Sequence, residues 1–157
     1  MLLNCRYYFL LLLLVYSNMI FTQSCQYAIK SCIYMAKRNE RVDVVEIAEF
    51  IGSPISFTSK ILQKLVKGKF ISSSKGRNGG FYLSEKQLES LTISDIFFAI
   101  EEKEGLTSCA LGLAECGSLN ACPIHYLVLD LRNDIKKILD LKVAEIKDYG
   151  IIKGLSF

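Results

Sequence analysis

A chain of 157 residues with a formal net charge of +3 has room for one domain with one core, and its overall charge defines no partner. Its single histidine, His125, lies in a cysteine-rich stretch and no acid–base pair accompanies it, so catalysis is not expected and the chain reads as a non-enzyme. The charge distribution says more: from Ile51 to Ser84 there is no Asp or Glu, while Lys60, Lys64, Lys67, Lys69, Lys75 and Arg77 fall in that block, a one-sign surface suited to a polyanion.

The first residues, "MLLNCRYYFLLLLLVYSNMIF", place one charge, Arg6, before an apolar run from Tyr7 to Val15. That is the shape of a secretory signal peptide and is short for a membrane span. "FTQSC" also allows a lipoprotein cleavage site with Cys25 as lipid carrier. The competing reading starts the protein at Met19 and makes residues 1–18 a dispensable leader. It is preferred because the residues that follow suit a cytoplasmic DNA-binding domain.

"TQSCQYAIKSCIYMAKR" predicts a helix capped by Thr22 or Ser24. Cys25 and Cys32 lie on one face of it, where two small buried side chains are the expected role. Asp43 caps a short helix over Val44 to Phe50, Gly52 turns the chain, and Pro54 precedes a second helix from about Ser56 to Lys67 with Ile61, Leu62 and Leu65 buried. Gly68 ends it. Two helices about a glycine turn make a helix-turn-helix. Phe70 and Ile71 begin a strand, Phe81 to Leu83 return it, and Gly76, Gly79 and Gly80 form the turn, so the unit is a winged helix. The fold class is mainly α with a small β-hairpin. "LTISDIFFAIEEKEG" is a further helix capped by Thr92 or Ser94. From Pro123 to about Lys147 one long helix is expected, with Ile124, Val128, Leu131, Ile135 and Ile138 spaced as a seam between two chains.

In a helix-turn-helix the second helix enters the major groove with its N-terminal residues at base edges. Ser56, Thr58, Ser59, Lys60 and Gln63 hold those positions, with Ser, Thr and Gln able to bond to bases. Lys64, Lys67 and Lys69 suit phosphate contacts. At the wing tip Lys75, Arg77 and Asn78 sit on the glycine turn, from which an Arg can enter a minor groove. A double-stranded DNA operator is the expected partner.

"CALGLAECGSLNACPIH" brings Cys109, Cys116, Cys122 and His125 into 17 residues. Three thiolates and an imidazole match one iron–sulfur cluster or a structural Cys₃His zinc site. The gaps of six and five residues are wider than the close pair usual for zinc. Cys122 and His125 stand one helical turn apart and can face one centre.

The motifs "SCQYAIKSCIYMA", "IAEFIGSPISFTSKILQKLVKGKFISSSKGRNGGFYL", "TISDIFFAIE" and the three cysteines with "CPIH" resemble the Rrf-two (IscR/NsrR) family of bacterial regulators over about residues 19 to 147. The resemblance implies a homodimeric winged-helix transcription regulator. It implies an iron–sulfur cluster on Cys109, Cys116, Cys122 and His125, through which iron–sulfur status, redox state or nitric oxide would be sensed. The first cysteine gap is one residue longer than in the family. The acidic ligand that some members take from the partner's first helix falls on Gln26, a poor ligand, so [2Fe–2S] with His125 is preferred over [4Fe–4S]. Cluster-free members, which sense through a thiol, and a zinc-stapled loop remain alternatives, as does the exported lipoprotein. The implied layout is a leader at 1–18, a winged-helix domain at 19–105, a cluster loop at 106–125, a dimerisation helix at 123–148 and a tail at 149–157.

Overall fold

The computed structural model describes residues 21–76, 79–101, 109–114, 116, 117 and 119–147. The leader reading, the start at Met19, the wing-tip residues Arg77 and Asn78 and the tail lie outside the described residues.

Helix α1 (Gln23–Arg38) is capped by the Thr22 side chain, which accepts from the Cys25 N–H. Asp43 caps α2 (Val44–Ile51) by accepting from Val45, and Gly52, at φ 68°, closes it. Helix α3 (Ile55–Lys67) follows, and Ile61, Leu62 and Leu65 bury its inner stripe as the spacing predicts. Strands β1 (Ser72–Ser74) and β2 (Gly80–Tyr82) form the antiparallel wing, with Ser73 opposite Phe81. Helices α4 (Glu85–Ser90), α5 (Ile93–Glu101), α6 (His125–Leu139) and α7 (Val143–Ile146) complete the described chain.

The core joins α1, α2, α3 and α5 through Met35, Ile47, Leu62, Leu65, Ile71 and Ile96. Cys25 and Cys32 are fully buried within it, in the packing role expected of them. This location opposes the lipoprotein alternative. A lipid-bearing Cys25 would have to become a free, accessible N-terminus, whereas here it is enclosed and its N–H belongs to the α1 cap.

Gly68 caps α3 as expected, and Lys69 follows it at a φ of 63°. Two local expectations are corrected. The wing strand starts at Ser72 and not at Phe70, because the Phe70 N–H bonds to the Leu65 carbonyl and finishes the α3 end, while Ile71 points into the core. The expected helix from Pro123 to Lys147 is two helices. Between them Lys142 pairs with Thr92 in an isolated bridge, Ile93 donates to Leu141 and Val143 donates to Leu91, and this extended pairing interrupts the helical ladder. Helix α4 was not expected, although Ser84 and Gln87 spell its capping box.

The wing is fastened to the body through Gly80. Val42 and Phe81 exchange two backbone hydrogen bonds of 2.9 Å, which brings the Val42 carbonyl to 2.6 Å from where a Cβ on Gly80 would sit, at a φ of 144°. Gly80→Ala is therefore expected to destabilise the protein by about 1–3 kcal/mol, through backbone strain and this clash. Urea denaturation checks it, and an unchanged midpoint would contradict the Val42 bridge.

Candidate nucleic-acid interface and metal centre

On α3, Ser56, Lys60, Gln63 and Lys67 are exposed and fall at helical intervals of four, three and four, so they share one outward stripe. Ser59 is half-buried and its hydroxyl accepts from the Gln63 amide at 3.2 Å. No side chain caps the first turn of α3, an arrangement that leaves backbone donors for a phosphate. Between α3 and the wing runs a groove of about 570 Å³, with Gln63, Lys67, Ser73, Lys75 and Phe81 among its walls. This juxtaposition brings the basic helix and the described part of the wing to one face.

One of the expected DNA contacts sits elsewhere. Thr58 is fully buried and its hydroxyl donates to the Pro54 carbonyl at 3.2 Å, so it anchors the start of α3 and does not reach a base. Lys64 is exposed, but its ammonium donates to the Ile100 carbonyl of α5, 3.1 Å away.

The second candidate site is the cysteine loop. The Sγ atoms of Cys109, Cys116 and Cys122 all lie within 4.8 Å of one another. Cys109 and Cys122 are 4.0 Å apart, and His125 Nδ1 stands 3.2 Å from Cys116 Sγ. They surround a cavity of about 80 Å³ whose remaining wall is Ala110, Val128 and Arg132. His125, Val128 and Arg132 follow one another at three and four residues, so a single face of α6 closes the site. Sequence reasoning missed Arg132; the helical spacing from His125 was the available signal.

The electrostatics of the thiols differ. N–H groups of Leu113 and Leu111 point toward Cys109 and draw its thiol down to about 7. At Cys116 an N–H from Cys122 acts downward, but burial and the neighbouring Cys109 and Cys122 thiols outweigh it and the value is raised. In the core, burial first and the Glu101 charge second push Cys25 up to about 12, and burial does the same for Cys32. Because the thiolate is the nucleophile, iodoacetamide at pH 7.5 should modify Cys109 first in reduced, metal-free protein. Cys25 and Cys32, still protonated at that pH, should react only on unfolding. Peptide mass mapping over time reads the order, and early labelling of Cys32 would contradict the packing described here.

The donor set fits a thiophilic metal. A single tetrahedral ion with metal–sulfur bonds of about 2.3 Å has sulfur–sulfur edges near 3.8 Å, close to the 4.0 Å between Cys109 and Cys122. A two-iron core divides its ligands between two metals, so these thiolates would have to spread to hold one. The loop residues Leu111, Gly112, Leu113 and Ala114 are exposed, and no described core packing opposes such a movement.

A family model for Rrf2, described as an iron-dependent transcriptional regulator, matches residues 21–147. A candidate HTH-type transcriptional regulator of Aquifex aeolicus (strain VF5) is 32% identical over 133 residues, covering 83% of this chain and 90% of that one. The HTH-type transcriptional regulator IscR of Photorhabdus laumondii is 28% identical over 120 residues, covering 75% and 72%. Among solved structures, CymR, the global cysteine regulator of B. subtilis, superposes with a TM-score of 0.69 at 18% identity, over 84% of this chain and 98% of its own. T. potens IscR does so with 0.64 at 16% identity, over 89% and 95%. These two likenesses establish the fold. Among the described residues no helix is long and apolar enough to cross a membrane.

Proposed function

This chain belongs to the Rrf2 family of transcriptional regulators, which are DNA-binding proteins and not enzymes, and from that premise we propose that it reads a specific operator as a homodimer and adjusts its affinity through a metal centre. The observation that carries the reading is the convergence of Cys109, Cys116, Cys122 and His125 on one cavity, on a chain whose basic helix and wing share another face.

Ser56, Ser59, Lys60 and Gln63 are assigned to the major groove, and Lys67 and Lys75 to phosphates. Arg77 and Asn78 keep their sequence-based assignment to the wing tip. Dimer formation is assigned to α6. Leu127, Leu131 and Ile138 are 73%, 61% and 44% exposed and lie on one stripe, while Val128 faces the cysteine cavity and Ile135 packs on the chain's own core. The seam thus runs through Leu127 in place of Val128.

The centre is assigned to a [2Fe–2S] cluster held by the three cysteines and His125, which would supply a redox- or nitric-oxide-sensitive link in the loop. Arg132 beside it balances thiolate charge. When the centre is lost the loop is freed, and a change in DNA affinity requires that the two loop states differ in their compatibility with the DNA-bound form. A single zinc ion is the second reading, favoured by the short spacing of Cys109 and Cys122.

Quantitative binding tests the DNA assignment. Gln63→Ala should lose roughly 1–3 kcal/mol of discrimination between a selected duplex and random DNA, if it makes a good base contact. Lys67→Ala should weaken both and lower the salt slope by about 0.9 for each lost phosphate contact. Equal losses on both duplexes from Gln63→Ala would remove it from base reading.

A further inference from the structure

We infer that Lys64 is a positioning residue that ties the DNA-reading helix to the cysteine site, and is not one of the phosphate contacts. The inference rests on the DNA-binding role proposed for α3, and deepens it by naming how the two sites communicate.

The last described residues of α5 are the junction. From α3, the Lys64 ammonium donates to the Ile100 carbonyl at 3.1 Å. One residue on, the Glu101 carboxylate accepts from both the N–H and the hydroxyl of Thr22, the cap of α1. These residues of α5 are therefore held on one side by the start of α1 and on the other by the last turn of α3.

One route leads from this junction to the thiols: α5 packs against α6, the helix whose His125, Val128 and Arg132 wall the cavity. A rearrangement at the cysteines that shifts these residues of α5 changes what Lys64 holds, and hence the seating of α3. By linkage, DNA that fixes α3 must alter the cysteine loop by the same coupling. In this role the Lys64 ammonium stays at Ile100 when DNA binds, so its removal should not remove a released counterion.

The test uses the full chain, reduced and metal-free, with a mixed-sequence duplex at low salt as the probe. In the wild type, saturating duplex should slow alkylation of Cys109 by roughly 2- to 10-fold, the factor that one net hydrogen bond supplies. In Lys64→Met that protection should disappear while DNA is still bound, with a salt slope like the wild type's. Lys64→Arg, which keeps a donor and the charge, should restore it. Lys67→Met should keep the protection and lose about 0.9 of salt slope for each missing phosphate contact. Thermal melting shows whether each variant is folded, and a folded Lys64→Arg keeps the comparison valid if Lys64→Met is not.

The inference is overturned if duplex slows Cys109 equally in wild type and Lys64→Met, if it has no effect in the wild type, or if Lys64→Met loses salt slope as Lys67→Met does. If the wild type retains no duplex at all, the proposed DNA-binding function fails, and the inference with it.

Discussion

Anaerobically purified Cys116→Ala protein is expected to be colourless. In the proposed cluster each thiolate is a covalent anchor, and Cys116 Sγ lies within 4.8 Å of the other two sulfurs and 3.2 Å from the His125 ring. Cys25 and Cys32 cannot replace it, since both are enclosed in the core with thiols pushed up to about 12. Cys109→Ala and Cys122→Ala should lose the visible absorption in the same way. His125→Ala should keep a weaker, oxygen-labile chromophore, because water or a nearby group can fill one position. Cys25→Ala and Cys32→Ala should keep it intact. Iron, sulfide and zinc analysis on the same samples completes the measurement. Full iron retention in Cys116→Ala would remove that residue from the site. Stoichiometric zinc in the wild type would leave the ligands in place but end the redox-sensing mechanism in favour of the zinc reading.

Leu62→Ala should cost about 2–5 kcal/mol of stability, the range for truncating a fully buried leucine whose surroundings collapse only partly. Leu62 is completely inaccessible on a helix that packs against α1, α2 and α5 together, so a cavity there loosens the whole helix-turn-helix. The loss is a large share of the 5–15 kcal/mol typical of a domain. Ser56→Ala, on the exposed stripe, should move stability by no more than about 0.5 kcal/mol. Urea denaturation of both variants gives the comparison. A loss below about 1 kcal/mol for Leu62→Ala would mean that α3 is not held by the packing described.

Much of this chain was decided by local physical chemistry and was therefore legible from its residues. The caps at Thr22 and Asp43 and the turn at Gly52 act within four residues of their helices. The inner stripe of α3 is a matter of period. The cysteine loop declares itself by composition, because thiol ligands must be supplied whatever surrounds them. The family motifs imply a homodimer and a cluster, to which the seam spacing of the last helix and the clustered cysteines already pointed.

Other features depend on contacts between distant residues, and only the tertiary structure decided them. Periodicity marks which residues share a helix face, but not which neighbour that face meets. Thus Thr58 and Lys64 read as DNA contacts on α3, yet one hydroxyl turns to Pro54 within the buried helix start and one ammonium crosses to Ile100. Val128 and Ile135 share a heptad spacing, yet one closes the cysteine cavity and the other joins the core. The break between α6 and α7 has no glycine or proline to announce it. It arises because Leu91 and Ile93 trade backbone hydrogen bonds with Val143 and Leu141, partners some fifty residues away, and a backbone N–H or carbonyl bonded across the fold is no longer available to the helix.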